Sequence, residues 1–208
     1  MLQILPSRPG SESSIPVVRA VALLAAVTLL AACGGGIPAA DLDRSYERVM
    51  AETEGRAYAG FADSPERLEA AVARVQRYFA DVTPESVREL TAETYAPDGY
   101  LNDTLAAIRG ADRIEAYFLD TMERADVVRV EFLGAAVDGI DVYVRWRMHV
   151  EASALGGGDP VVTYGVSQFR FDDEQRLLLH KDFWDSGGGF FEHLPLIGRF
   201  VRSVRHAP

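Results

Sequence analysis

In the second half of the chain, apolar and polar side chains alternate with the two-residue period of a β-strand. From Val127 on, Val128, Val130 and Phe132 share one face. In the next run Val142, Val144, Trp146, Met148 and Val150 share a face, opposite Tyr143, Arg145, Arg147, His149 and Glu151. A further pair of runs, VVTYGVSQFRF from Val161 and LLLHKDFWD ending at Asp185, is joined by the turn DDEQR. Alternation places Thr163, Gly165, Ser167, Phe169 and Phe171 on one face of the first and His180, Asp182 and Trp184 on one face of the second. Asp138-Gly139 and the run Gly156-Gly157-Gly158-Asp159-Pro160 supply hairpin turns.

The first half has helical spacing. Leu42, Tyr46, Val49, Met50 and Ala57 form a stripe over Asp41–Ala59. Ser64-Pro65 is a helix start, with Leu68, Val72, Val75 and Phe79 behind it. Thr83-Pro84 repeats the signal ahead of Val87, Leu90 and Thr94. Tyr95-Ala96-Pro97-Asp98-Gly99 is expected as a turn, followed by a short extended piece, Tyr100–Asp103, and by Leu105–Arg109. Asp112–Arg124 is expected as a helix presenting Ile114, Tyr117, Phe118 and Met122. Helices first and an antiparallel meander afterwards is an α+β plan. One sheet face would pack on the helices. The other, with Arg145, Arg147 and His149, would meet solvent or a second subunit.

Composition adds an address. The 208 residues are 48% hydrophobic and 25% charged, the balance of a globular domain, with a formal net charge of −10. Without residues 1–32 the count is 19 basic against 30 acidic side chains, a net of −11. An acidic surface of that size argues against nucleic acid as a partner. Ala20–Ala32 is an uncharged apolar run behind Arg19, too short to span a bilayer core that needs ~20 apolar residues, and fits the core of a signal peptide. Cys33, the chain's one cysteine, comes next, so an internal disulfide is excluded.

Leu30-Ala31-Ala32-Cys33 resembles a bacterial lipobox, which implies cleavage before Cys33 and lipidation of its thiol and amine, a multi-chain anchor. Gly34, by resemblance to Gram-negative lipoproteins, leans towards the outer membrane, facing the periplasm. The expected organisation is a signal peptide over 1–32, a lipidated cysteine and tether over 33–40, an extra helix over 41–62, the main domain over 63–186 and an amphipathic tail over 187–208. In that tail Phe190, Phe191, Leu194, Leu196, Ile197, Phe200, Val201 and Val204 face away from Arg199, Arg202 and Arg205. Its apolar side is expected to dock on the domain or a subunit interface, the alternative being anionic headgroups.

The order of Tyr95-Ala96-Pro97-Asp98, Asn102-Asp103, Ile108-Arg109-Gly110, Ile114–Phe118, Phe169-Arg170-Phe171-Asp172 and Phe183-Trp184 resembles the nuclear transport factor 2-like superfamily. That group includes ketosteroid isomerases, scytalone dehydratase and SnoaL-like cyclases. The resemblance covers about Pro65 to Asp185. It implies a cone: a curved antiparallel sheet wrapped around N-terminal helices, enclosing a small-molecule cavity. By the ketosteroid isomerase pattern, Tyr78 resembles the oxyanion-donating tyrosine, Asp103 the proton-moving base and Trp184 an aromatic wall. The strand position of the pattern's second acid holds Ser167.

His180 and Asp182, two apart on a strand, add an imidazole and a carboxylate to that wall and suit proton transfer at carbon with Asp103. Such use of histidine and aspartate resembles SnoaL-like cyclases and scytalone dehydratase. Three functions stay open: a binder of an apolar or aromatic molecule gripped by Trp146, Phe169 and Trp184; an isomerase, dehydratase or cyclase using Asp103, His180, Asp182 and Tyr78; and a non-catalytic adaptor, dimeric through the sheet. In the bland alternative His180 and Asp182 satisfy one another as a polar plug. No metal is expected, since two ligands lack a third at usual spacing, and no cofactor. The glycine runs lack the Lys-Ser/Thr of a phosphate loop.

Overall fold

The structure, a computed structural model, describes residues 42–152, 160–194 and 197–205. The apolar run, Cys33, the tether, the glycine turn at 156–158 and His206 lie outside the described residues. In chain order the elements are α1 (Leu42–Thr53), a 3-10 turn (Phe61–Asp63), α2 (Pro65–Phe79), α3 (Pro84–Thr94), β1 (Tyr95–Asn102) and β2 (Ala107–Arg109). These are followed by α4 (Ala111–Met122), β3 (Val127–Asp138), β4 (Asp141–Glu151), β5 (Val161–Phe171) and β6 (Leu177–Trp184). The chain closes with α5 (Ser186–Gly189), a second 3-10 turn (Phe191–His193) and α6 (Ile197–Arg205).

The strands form one curved sheet in the order β2-β1-β6-β5-β4-β3. The α+β plan holds, but the sheet is mixed: β1 runs parallel to β6, and every other pairing is antiparallel. The expected turn at Tyr95–Gly99 is instead the start of β1. Its Pro-Asp-Gly piece makes an irregularity in the pairing with β6 between Tyr95 and Tyr100, not a reversal. Gly99 is required there, because a Cβ would lie 2.7 Å from the Leu177 carbonyl oxygen.

Helices α2, α3 and α4 fill the concave side. Their buried Val75, Tyr78, Phe79, Val87 and Ile114 meet Val142, Val144, Phe169, Phe171 and Leu177 from the sheet in one core. α3 starts on a reciprocal cap. Ser86 N donates to Thr83 Oγ1 (3.1 Å) and Thr83 N to Ser86 Oγ (2.9 Å), with Pro84 in the first turn. Ser64, read the same way, makes no side-chain cap to α2.

α1 lies on the opposite, convex face, where Val49, Tyr46 and Met50 pack on Tyr100, Ala107 and Leu179. Tyr46 donates to Gln168 Oε1 (2.6 Å). Arg170, nearly buried, pairs with Asp141 (2.6 Å) and donates to the Met50 carbonyl (2.7 Å). A buried ion pair is tolerable here because its remaining donors are also satisfied. α1 therefore covers part of the face expected to be open to solvent or a partner. Arg147 and His149 do face outward, paired with Glu131 (2.6 Å) and Glu151 (2.7 Å). Among the described residues no helix is long and apolar enough to cross a membrane.

Candidate active site

Strand register arranges the concave face in three tiers. The deepest runs Leu101, His180, Phe169, Val142, Val137 across β1, β6, β5, β4 and β3. The next runs Asp182, Ser167, Val144, Ala135, with Asp103 one step beyond the Asn102–Lys181 pair. The outermost runs Trp184, Gly165, Trp146, Phe132. Strand pleating and the pairing register together thus bring His180, Asp182, Ser167, Trp146, Phe169 and Trp184 to one surface, with Asp103 just past the end of β1 beside them.

A chain of hydrogen bonds crosses these tiers. Trp146 Nε1 donates to Ser167 Oγ (2.8 Å), and Ser167 donates to Asp182 Oδ1. The same oxygen faces His180 Nε2 (2.9 Å), and His180 Nδ1 meets the Tyr95 hydroxyl (2.8 Å). The proton assignment follows from the ends. The nitrogen facing the carboxylate carries hydrogen, so in the neutral ring Nδ1 accepts and Tyr95 donates. Burial pushes the Tyr95 phenol well above its ordinary value and keeps it protonated. The imidazole is boxed by rings. Phe169 and Phe79 meet it edge-on, with centroids at 4.8 and 5.6 Å, and Tyr95 stacks on it at 6.1 Å.

Asp103 lies beside this chain at the rim. Oδ1 accepts from the Leu105 and Ala106 amides (2.9 and 2.8 Å), Oδ2 accepts from the Tyr117 hydroxyl, and the Asp103 carbonyl accepts from Trp184 Nε1 (2.8 Å). The tight turn is made by Thr104 at φ +74°. Burial raises the Asp103 carboxyl above its ordinary value against the opposing pull of the Tyr117 bond, and the negative charge of Asp182 adds to the rise. Tyr117 is held protonated by burial and by the adjacent Asp103. Asp103 with a raised proton affinity, facing Asp182 wired to an imidazole, is chemically a pair that can take up and pass on a proton.

Tyr78 stands apart. Its hydroxyl is fully buried and meets Thr91 Oγ1 (3.0 Å) on α3, not the chain. Its ring packs edge-on against Tyr95 (centroids 5.9 Å), and Tyr95, opening β1, takes the place beside the histidine. Sequence reasoning missed Tyr95 and Tyr117. The first was read as part of a turn; the second was counted only in an apolar stripe, although its four-residue spacing from Arg113 and Thr121 put a hydroxyl on that face.

Accessibility divides the group. His180, Tyr95, Phe169 and Ser167 are buried, so Phe169 is core and not a gripping wall. Trp146 is also buried, laid over Gly165 so closely that a Cβ there would be 2.5 Å from Trp146 Cη2. Asp103, Tyr117, Asp182 and Trp184 remain half-buried. The five buried side chains fill the concave side here, so they do not line the expected hollow. Two open clefts of about 350 Å³ lie elsewhere, one along Arg129, Glu131, Arg147 and His149 on the outer face, the other between α2 and β3 along Leu68, Val72, Gln76 and Phe132. Among the described residues no group of three or more His, Cys, Asp and Glu side chains is placed to hold a metal ion.

A family model for the SnoaL-like domain matches residues 75–178, half of the chain, and the protein belongs to that family. The match spans Tyr78, Tyr95, Asp103, Ser167 and the whole of β1 to β5, and stops just short of His180 and Asp182. A solved protein with a ketosteroid isomerase-like fold from Catenulispora acidiphila DSM 44928, in complex with trimethylamine, is similar at a TM-score of 0.51. It is 17% identical over 60% of this chain and 93% of its own. An epoxide hydrolase of M. tuberculosis described as LEH-like scores 0.48, with 18% identity over 65% of this chain and 94% of its own. A nuclear transport factor 2-like protein of unknown function from Burkholderia pseudomallei K96243 scores 0.47, with 17% identity over 56% and 91%. No curated protein matches the chain. At these identities the likeness concerns the fold.

Proposed function

We propose that the domain binds a small apolar or aromatic molecule at the rim of the cone, in a protein anchored through a lipidated Cys33 on the periplasmic side of a bacterial outer membrane. The observation that carries the binding reading is the half-buried quartet of Asp103, Asp182, Tyr117 and Trp184. There Tyr117 fixes the Asp103 carboxylate, buried Ser167 fixes Asp182, and the Asp103 carbonyl fixes the Trp184 indole, each group keeping part of its surface exposed. Preorganised polar groups beside aromatic surface orient an otherwise apolar ligand. The test is mass spectrometry of small molecules that copurify with the protein taken from its own membranes, beside the Asp103→Asn/Asp182→Asn variant. A compound retained by the wild type and lost by the variant supports the site. Equal retention by both removes it.

A second reading is favoured by the raised proton affinity of Asp103 and the Asp182–His180–Tyr95 chain behind the rim. In this reading the domain is an isomerase, dehydratase or cyclase: Asp103 takes a proton from carbon and then delivers the same proton to another substrate atom, a second carbon or the hydroxyl that leaves in a dehydration, while Asp182 and His180 hold the facing wall and orient the substrate. On the compound so identified, Asp103→Asn abolishes turnover while binding persists; turnover that survives the substitution excludes the role. Homodimerisation through the outer face of β3 to β5 is compatible with either reading, and sedimentation of the detergent-solubilised protein tests it.

A further inference from the structure

The expected docking of the C-terminal helix is inverted. Through its basic edge α6 meets Asp185, just past the end of β6, and the 3-10 turn that precedes the helix. Arg205 pairs with Asp185 (2.7 Å) and with Glu192, and Arg202 donates to the Glu192 carbonyl. Gly198 permits this approach, since a Cβ there would overlap that same carbonyl. The carboxylates at 185 and 192 attract the arginines, so the opposite stripe is turned outward. Ile197, Phe200 and Val204, which recur at helical spacing, are 47%, 72% and 63% exposed.

This stripe is not isolated. Leu105 in the β1–β2 turn, Tyr164 on β5 and Phe183 on β6 are also exposed, at the end of the sheet where β6 finishes. The same end receives the incoming chain. Tyr46 bonds to Gln168 and the Met50 carbonyl to Arg170, so α1 runs alongside β5 in the same direction. Its first residue, Leu42, therefore lies towards the start of β5 and the finish of β6. Nine residue steps separate Leu42 from Cys33, a covalent reach of at most ~30 Å at ~3.3 Å per residue.

We infer that this end of the domain is a membrane-docking face. The outward stripe of α6 seats in the interfacial layer of the bilayer that holds the Cys33 lipid, and the rim of the candidate site is turned towards that bilayer. The inference rests on the lipid-anchor reading. Its ligand-side consequence is that the site takes molecules dissolved in the membrane. Single exposed apolar residues are ordinary, whereas an apolar stripe held outward by ion pairs on its other edge, next to the point where a short tether enters, fits a lipid surface.

The test uses the full chain purified in lipidated form and reconstituted in vesicles of phosphatidylethanolamine and phosphatidylglycerol. The thiol of Cys33 is consumed by lipid, so a cysteine introduced by Phe200→Cys, or by Asp173→Cys in the far β5–β6 turn, is the one free thiol for an environment-sensitive dye. Flotation and the mass of the N-terminal peptide report the anchor separately. The dye at position 200 is expected to shift to the blue and to be quenched by nitroxide-bearing lipid, while the dye at 173 stays water-like. Equal water exposure at both positions on floating vesicles overturns the docking face and leaves the anchor standing. A protein that neither floats nor carries lipid overturns both. A dye at 200 shielded from lipid and water alike, with disulfide-linked dimers of the Phe200→Cys protein, assigns the stripe to a second copy and overturns the inference.

Discussion

Replacing Ser167 by alanine cuts the hydrogen-bond chain between Trp146 and Asp182. Ser167 is buried, accepts from Trp146 Nε1 and donates to Asp182 Oδ1. Without it the indole N–H is left in a place water does not reach, at a cost of ~1–3 kcal/mol. Asp182 loses one charge-assisted bond, but it keeps His180 and is partly open to solvent, so this loss falls to ~1 kcal/mol, below the ~1.5–3 kcal/mol of a bond to a charged group. The joint cost is ~2–4 kcal/mol. Urea denaturation at unchanged slope should report it directly, and the melting temperature of a chain this size should fall by roughly 4–16 °C. The decisive measurement is the cycle with Trp146→Phe. Once the N–H donor is gone, Ser167→Ala should cost at least ~1 kcal/mol less than it does in the wild type. Strict additivity of the two substitutions, or a single-mutant cost within ~0.5 kcal/mol of zero, refutes the linked chain.

Three other outcomes follow from the same geometry. Asp103 has a folded-state pKa above its unfolded one, so its charged form is penalised by folding. The penalty is complete above the folded value and vanishes below the unfolded value near ~3.9. Asp103→Asn should therefore be more stable than wild type at neutral pH and lose that advantage as pH falls through this window, which denaturation at several pH values will show. Gly165→Ala forces a Cβ into the Trp146 ring and should cost ~1–3 kcal/mol by thermal melting, a loss largely reversed in a Trp146→Ala background. Tyr95→Phe strips the partner from buried His180 Nδ1 and should cost ~1–3 kcal/mol. Tyr78→Phe should cost ~0.5–1.5 kcal/mol, because Thr91 keeps its bond to the Val87 carbonyl (2.6 Å). The reverse order of the two, by chemical denaturation, would place Tyr78 in the chain instead.

Much of this molecule is legible in its sequence because the signals are local. The hairpin over Val161–Trp184, the Thr83-Pro84 helix start and the mixed polar face of β6 each follow from side-chain period or cap chemistry within a few residues. Period two was enough to put His180, Asp182 and Trp184 on one wall. Which wall that is, and what stands across from it, depends on pairing between distant segments. The parallel match of β1 with β6 brings Asp103 beside Asp182 and Tyr95 against His180, yet Tyr95 is 85 residues from its histidine and lies in a stretch whose Pro and Gly suggest a reversal.

The C-terminal helix shows the same division. Its stripe and its arginines are evident from spacing alone, since a helix fixes which residues share a face. Which face meets the protein was decided by charge in three dimensions. Asp185 and Glu192 offer carboxylates, and Gly198 leaves room for a backbone carbonyl, so the basic edge docks and the apolar one does not. Local periodicity determines what each element can present; long-range packing and electrostatics decide to what it is presented.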